Sequence, residues 1–334
     1  MRRALACAGV LVLFGGCGST RESAPVASTT THVKRAPTRP DPKTAGANEL
    51  GLIPVIMFHR VTPKPESDYD LTPREFRGQL RDLYRFGYRP ISAADLVTGR
   101  IDVPAGKSPV VLTFDDSSAE QFSLLPDGSV DPKTAVGMLL AFARAHPGFN
   151  PKATFFVIAS LFGGGADGPR LLASLADLGF DFGDHTYDHA SLGGLDETSV
   201  QKEIVLGARL IRNAVPDAKI ETLALPYGVF PIPRTLALRG SWDGERYHYL
   251  GVFEVGSAPA PSPYSIDFDA VAIPRIRAAP WRGAEDLGSG YWLRYLDQHR
   301  ERRFISDGDP KRISFPSVLA GAVAPAYGDR ANPY

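Results

Sequence analysis

From Gly51 onward, short apolar runs alternate with stretches whose apolar positions recur every three or four residues. Pro54 to Phe58 reads as a strand, and Pro73 to Phe86 as a helix with Phe76, Leu80, Leu83 and Tyr84 on one face. A second strand is expected at Val110 to Phe114, then a helix around Thr134 to His146, a strand at Ala153 to Ala159 and a helix around Arg170 to Leu178. Phe180 to Gly183 is a further strand, and Asp196 is placed to cap a helix from Glu197 to Asn213. Strands follow at Glu221 to Pro226, Tyr249 to Val255 and Ala270 to Arg275, and the chain beyond Asp309 reads as an irregular tail with one strand, Arg312 to Pro316. Repeated strand–helix units imply a mostly parallel sheet.

Composition narrows the setting. The chain has 334 residues, 43% of them hydrophobic, enough for one large core. Lys+Arg and Asp+Glu both total 37, and no basic stripe stands out, so no nucleic-acid partner is expected. Residues 1–17 read as a lipoprotein-type signal peptide. Arg2-Arg3 is a basic start, Ala4 to Phe14 is an apolar run too short to span a bilayer, and Phe14-Gly15-Gly16-Cys17 resembles a lipoprotein processing box. Cys17 would then carry a lipid, and the protein is expected to be exported and held on the extracytoplasmic face of the cell membrane. An ordinary secretory signal is the plainer alternative. The two cysteines, Cys7 and Cys17, both fall in this leader, so no disulfide is expected in the domain. Residues 18–50 are rich in Ser, Thr, Pro, Ala and basic side chains and read as a flexible linker with a mean reach of about 30 Å. That leaves 51–310 as the catalytic domain and 311–334 as a C-terminal tail.

The chemistry is concentrated in Thr113-Phe114-Asp115-Asp116 and His185-Thr186-Tyr187-Asp188-His189. Both follow apolar strands. Two imidazoles and a carboxylate make a divalent-metal site, and a spare carboxylate beside it makes a base, which reads as a hydrolase. Two His and one Asp with open positions suit Zn, Co, Ni or Fe. Asp115, His185 and Tyr227 all lie just past strand C-termini, the face on which β/α barrels assemble sites. A doubly wound sheet would carry a Gly-rich phosphate loop, and Gly163-Gly164-Gly165 lacks the following Lys-Ser/Thr.

In these residues the chain resembles the polysaccharide deacetylases, carbohydrate esterase family four with the NodB-homology domain. Over roughly Leu52 to Ile276, Thr113-Phe114-Asp115-Asp116, His185-x-x-x-His189 and Pro226-Tyr227-Gly228 match in order, as does Ala153-Thr154-Phe155-Phe156-Val157. Pro54-Val55-Ile56-Met57-Phe58-His59-Arg60-Val61 looks like the poly-N-acetylglucosamine deacetylase branch, in which motif order is permuted. The resemblance implies a distorted (β/α) barrel and N-deacetylation of an N-acetylglucosamine-containing polysaccharide. It implies Asp116, His185 and His189 as metal ligands, Asp115 as base, His59 as general acid and the Tyr227 backbone N–H as an oxyanion donor. O-deacetylation of a polysaccharide is an alternative within the same site. The family's Arg before the third motif is Ala224 here, Leu225 replaces a common Pro or Tyr, and Ser117-Ser118 stands where Gly and an aromatic are usual. That loss motivates a further alternative, a catalytically impaired carbohydrate-binding envelope lipoprotein. Arg275 and Arg60 are the candidates to replace the missing Arg. Trp242, Trp281 and Trp292 suit either a sugar groove or core packing.

Overall fold

The computed structural model describes residues 40–283 and 285–334. The signal peptide, Cys17 and most of the linker lie outside the described residues. In chain order the elements are α1 (Pro42–Ala45), β1 (Val55–Phe58), α2 (Pro73–Arg85), β2 (Tyr88–Ile91), α3 (Ala93–Val97), β3 (Ser108–Asp115), α4 (Ala135–Ala145) and β4 (Thr154–Val157). There follow α5 (Gly168–Asp177), β5 (Asp181–Asp184), α6 (Glu197–Ala214), β6 (Thr222–Ala224), the hairpin β7 (Arg239–Trp242) and β8 (Glu245–His248), and β9 (Gly251–Phe253). The chain ends with β10 (Ile276–Arg277), α7 (Ser289–Gln298), β11 (Ile313–Phe315) and β12 (Ala331–Pro333).

Eight strands form one parallel sheet in the order β10-β1-β3-β4-β5-β6-β9, with β2 paired to the first half of β3. The two edges approach each other. Phe253 bridges Ile273 and Gly256 bridges Ile276, so the sheet curls into a distorted (β/α) barrel. The expected strand at Ala270 to Arg275 is instead this line of isolated bridges running into the two-residue β10.

Strand alternation sorts the core. Val110, Leu112, Phe114, Phe155 and Val157 pack outward with Phe76, Leu80 and Leu139 from the helices. Val55, Val111, Phe156, Ala224, Phe253 and Ile273 form a separate cluster in the lumen. A strand buried on both faces shows as an unbroken apolar run, which is why Val110-Val111-Leu112 is legible in sequence. The helices carry their own start signals. Thr72 caps α2 through a capping box with Glu75 and Pro73 follows, while the Asp196 side chain accepts the Ser199 N–H to start α6. On α6, a Cβ at Gly207 would lie 2.2 Å from the Asp184 carboxylate, so only glycine admits that approach.

Both ends of the domain depart from the sequence reading. Residues 42–50 are not linker: α1 forms, and Ala47 to Leu50 are buried against the chain near Arg303 to Ser314. Their burial comes from backbone pairing, Asn48 with Ile305 and the Glu49 N–H with the Ser314 carbonyl, which composition does not register. In the tail after residue 310, β11 falls inside the expected strand Arg312 to Pro316, and the departure is β12, which pairs with it in parallel, with Ile313 and Phe315 in the lumen cluster.

Glu49 is the polar centre of this junction. Its carboxylate accepts from the Ser306 hydroxyl at 3.0 Å and from the Ser314 and Asp307 N–H groups at 2.7 and 3.3 Å. Burial, with Asp307 adding repulsion, pushes its pKa up to about 8. A raised carboxyl pKa means the folded state holds a proton the unfolded chain has lost. Stability from this group is therefore full below about pH 4 and declines as pH rises through 8. Denaturant unfolding between pH 5 and 9 should show that decline, and Glu49→Gln should flatten it; an unaltered slope in the variant would refute the assignment.

Candidate active site

Alternation also delivers the site. Met57 and His59 continue the inward side of β1, Thr113 and Asp115 that of β3, and Arg275 lies on the closing segment. Asp115 and Arg275 are 1% and 0% exposed. The guanidinium grips the carboxylate with two bonds of 2.7 Å, Nη1 to Oδ1 and Nη2 to Oδ2. It also donates to the Glu254 carbonyl at 3.1 Å and the Thr113 hydroxyl at 3.3 Å. Burial alone would raise the Asp115 pKa, but Arg275 and then His185 outweigh it and hold the carboxyl below its usual range. Arg275 therefore fills the place vacated at Ala224. Arg60 does not: it is spent on Asp70 and Glu66.

Consecutive residues of a regular strand face opposite ways, so Asp116 would point away from the lumen if β3 continued. The chain breaks instead. Asp116 and Ser117 are left-handed, at φ 71° and 45°. The Ser117 hydroxyl accepts the Ile158 N–H and its carbonyl the Phe162 N–H, tying this turn to the loop after β4. Thr186, His189 and Tyr227 are also left-handed non-glycine residues, so all three motifs carry local strain of the kind that gathers at functional sites.

The imidazoles meet Asp116 there. His185 Nε2 and His189 Nε2 stand 3.5 and 3.4 Å from Asp116 Oδ1. The three candidate ligand atoms lie within 4.8 Å of one another. His185 Nδ1 donates to the Ala224 carbonyl at 2.8 Å, which leaves Nε2 as the free lone pair. His189 Nδ1 is 3.2 Å from the Tyr227 hydroxyl. Asp116 Oδ1 and His185 Nε2 are buried and have no hydrogen-bond partner, although each faces the other's group. Separations of this size match the edge of a tetrahedron with bonds near 2.1 Å, about 3.4 Å. The residues fit a divalent cation. Burial would raise the Asp116 pKa, but the surrounding imidazoles, His185 foremost, bring it to about 2, so this carboxylate is ionised at neutral pH.

His59 completes the group. Its Nε2 is 3.9 Å from Asp116 Oδ2, and burial lowers its pKa below the usual imidazole range despite the two nearby carboxylates. Gln121, fully buried, donates one amide group to both the His59 and Asp115 carbonyls and so locks the end of β1 to the first motif. Nothing in the sequence marked Gln121. Tyr227 does not pack beneath the site; it is 66% exposed and covers His189, with ring centroids 4.7 Å apart. The cleft holds about 210 Å³ and is lined by Met57, His59, Tyr69 and Tyr227 around the ligand group. Of the tryptophans, Trp242 lies beside Arg209 and Lys202, Trp281 stacks on Tyr291 and Trp292 donates to the Ser257 carbonyl; none lines this cleft.

Removing one member of a buried ion pair strands the other, at a cost of about 3–5 kcal/mol. Arg275→Met should lower unfolding stability by that amount and abolish turnover, while Arg275→Lys, unable to make both bonds, should recover stability in part. Equal stability of Arg275→Met and wild type in a urea titration would rule out this role.

Residues 102–238 match the family model described as polysaccharide deacetylase. A peptidoglycan-N-acetylglucosamine deacetylase of Bacillus cereus is 27% identical over 161 residues, 48% of this chain and 51% of that protein. A chitooligosaccharide deacetylase of Sinorhizobium fredii is 31% identical over 78 residues, 23% of this chain and 35% of that one. The chain thus spans about half the length of the first relative and about a third of the second. Among solved structures, the Streptococcus pyogenes deacetylase PplD in complex with acetate superposes with a TM-score of 0.54 at 20% identity, over 71% of this chain and 96% of that one, a likeness of fold. The matched residues 102–238 hold all three motifs, and their Asp115, Asp116, His185 and His189 converge with Tyr227 on one cleft, so this part of the chain is similar to the polysaccharide deacetylases.

Proposed function

We propose that the protein is a metal-dependent hydrolase that removes N-acetyl groups from an N-acetylglucosamine-containing polysaccharide of the cell envelope or its surroundings. The observation that carries this reading is the cluster of Asp116, His185 and His189 beside a second, immobilised carboxylate, Asp115. A divalent cation on those three ligands, Zn, Co, Ni or Fe, supplies Lewis-acid polarisation of the acetyl carbonyl and lowers the pKa of water. Asp115, ionised and aimed by Arg275, takes the proton of the attacking water. Protonated His59, across the cleft, gives a proton to the departing amine, and because burial lowers its pKa that form is favoured towards acid pH. The Tyr227 N–H is assigned to the developing oxyanion, and the Tyr227 ring steadies His189. Acetate and an amino sugar are the products.

The early His59 motif supports the poly-N-acetylglucosamine branch over other members of the family. The impaired-binder alternative rested on the missing Arg, and Arg275 removes its motive. We place the reaction outside the cytoplasm, with a lipid on Cys17 as the anchor. Among the described residues no helix is long and apolar enough to cross a membrane, and the leader is the feature that supports this placement.

Acetate release from N-acetylglucosamine oligomers by the full chain should vanish after chelation and return with Zn or Co; release only from O-acetylated polymers would replace the amide reading with an ester one. Asp115→Asn should keep metal and lose about 10²–10⁴-fold in kcat, the range for a general base. His185→Ala should lose metal as well, measured by elemental analysis, and normal metal content would contradict its assignment. His59→Ala should lower kcat with metal intact.

A further inference from the structure

Between β1 and α2 the chain makes a loop whose neck is closed by the Val61–Leu71 bridge, with the Thr62 and Leu71 N–H groups bonded to the Leu71 and Arg60 carbonyls. Its interior is pinned by one buried carboxylate. Asp70, 4% exposed, accepts Arg60 through both oxygens at 3.1 and 2.6 Å, and the Glu66 and Ser67 N–H groups at 2.8 and 3.2 Å. Glu66 adds a second bond to Arg60 at 2.9 Å. From the barrel side, Arg277 donates to the Asp68 carbonyl at 2.7 Å and to Asp286 at 2.8 Å. Residues 63–69 of this loop are exposed, and among them Tyr69, 38% exposed, sets its ring 4.9 Å from that of His59.

Tyr69 and Val255 are shared by two clefts. One is the catalytic cleft; the other, about 590 Å³, runs on past Gly256, Ser257, Arg277 and Leu287. That volume falls within the roughly 300–1,000 Å³ typical of ligand clefts. A polymer with one sugar at the ligand group must lead its next sugar away along the surface, and here the open path passes over Tyr69. A phenol ring offers an apolar face to the C–H face of a pyranose while its hydroxyl stays wet.

We propose that Tyr69 is the platform for the sugar adjoining the reacting one, received by the second cleft, and that the Arg60–Asp70 latch holds that platform in place. This rests on the deacetylase reading above. It gives Arg60 a task, and makes Tyr69 a specificity determinant for polymer length.

The test is calorimetric binding of N-acetylglucosamine oligomers of two to five units to the metal-loaded full chain carrying Asp115→Asn to stop turnover. The gain in affinity from two to five units should shrink about tenfold with Tyr69→Ala, survive Tyr69→Phe and shrink with Asp70→Ala, at unchanged metal content. In the active protein the same substitutions should act on KM for the longer oligomers more than on kcat. An unchanged length dependence in Tyr69→Ala overturns the proposal, as does an equal loss for short and long oligomers. If the wild type releases no acetate while the binding differences hold, the deacetylase reading fails and the subsite stands. Absence of oligomer binding by the parent overturns both.

Discussion

The buried pair of Asp115 and Arg275 is the interaction on which the rest depends. Two ions with exposures of 1% and 0% incur a large desolvation cost, and attraction between them offsets it only where the geometry is good and the remaining donors are satisfied. Both conditions hold. The contact is bidentate, and the guanidinium spends further donors on Glu254 and Thr113. The pair also spans the structure: Asp115 ends the central strand, while Arg275 lies on the segment that bridges the edges of the sheet. Closing the barrel and fixing the Asp115 carboxylate are one contact.

Around that pair the site is built by breaking regular structure at chosen points. A strand can send one of two neighbouring carboxylates into the lumen, and the left-handed turn at Asp116 brings in the second. The turns at Thr186 and His189 follow the same logic for the imidazoles. Residues held so cost of order 1–3 kcal/mol each and persist because their surroundings over-determine them. Those surroundings are visible: the Asp184 carboxylate accepts the Thr186 N–H at 2.8 Å and the Tyr249 hydroxyl, the Ala224 carbonyl orients His185, and Ser117 ties the first motif to the neighbouring loop. Burial pushes the Asp184 carboxyl up to about 7, and its hydrogen bonds support the turn that carries His185.

The long periodic elements were legible because their signals are local. The face of Phe76, Leu80 and Leu83 gives α2 to within a residue, and Asp196 caps α6 as its position implies. Short elements were not: β2, α3, the β7–β8 hairpin and α7 do not stand out by periodicity, and residues 42–50 are ordered by partners some 250 residues away. The site divides the same way. The Asp115-Asp116 pair, His185 and His189 stand out by type and spacing, the family resemblance picks Asp116 as the carboxylate of the group, and Asp116, His185 and His189 do converge. Gln121, Tyr69 and the latch on Asp70 carry no such signature, since a buried Gln and a loop Tyr are common residues whose meaning lies in what stands opposite them.

By itself the sequence determined the strands that end in chemistry and, through the family resemblance of its motifs, pointed to the barrel and to Asp116, His185 and His189 as candidate ligands, because alternation, helical period and motif spacing are properties of neighbouring residues. Tertiary structure alone decided which arginine serves Asp115. Arg60 is one residue from His59 in the chain and Arg275 is 160 residues from Asp115, yet Arg275 makes the contact, because the curl of the sheet brings its edges together. It also decided where the domain begins, which aromatic ring stands at the cleft and which backbone carbonyl selects the imidazole tautomer. Each of these is a contact between distant segments, and such contacts exist only once the barrel has closed.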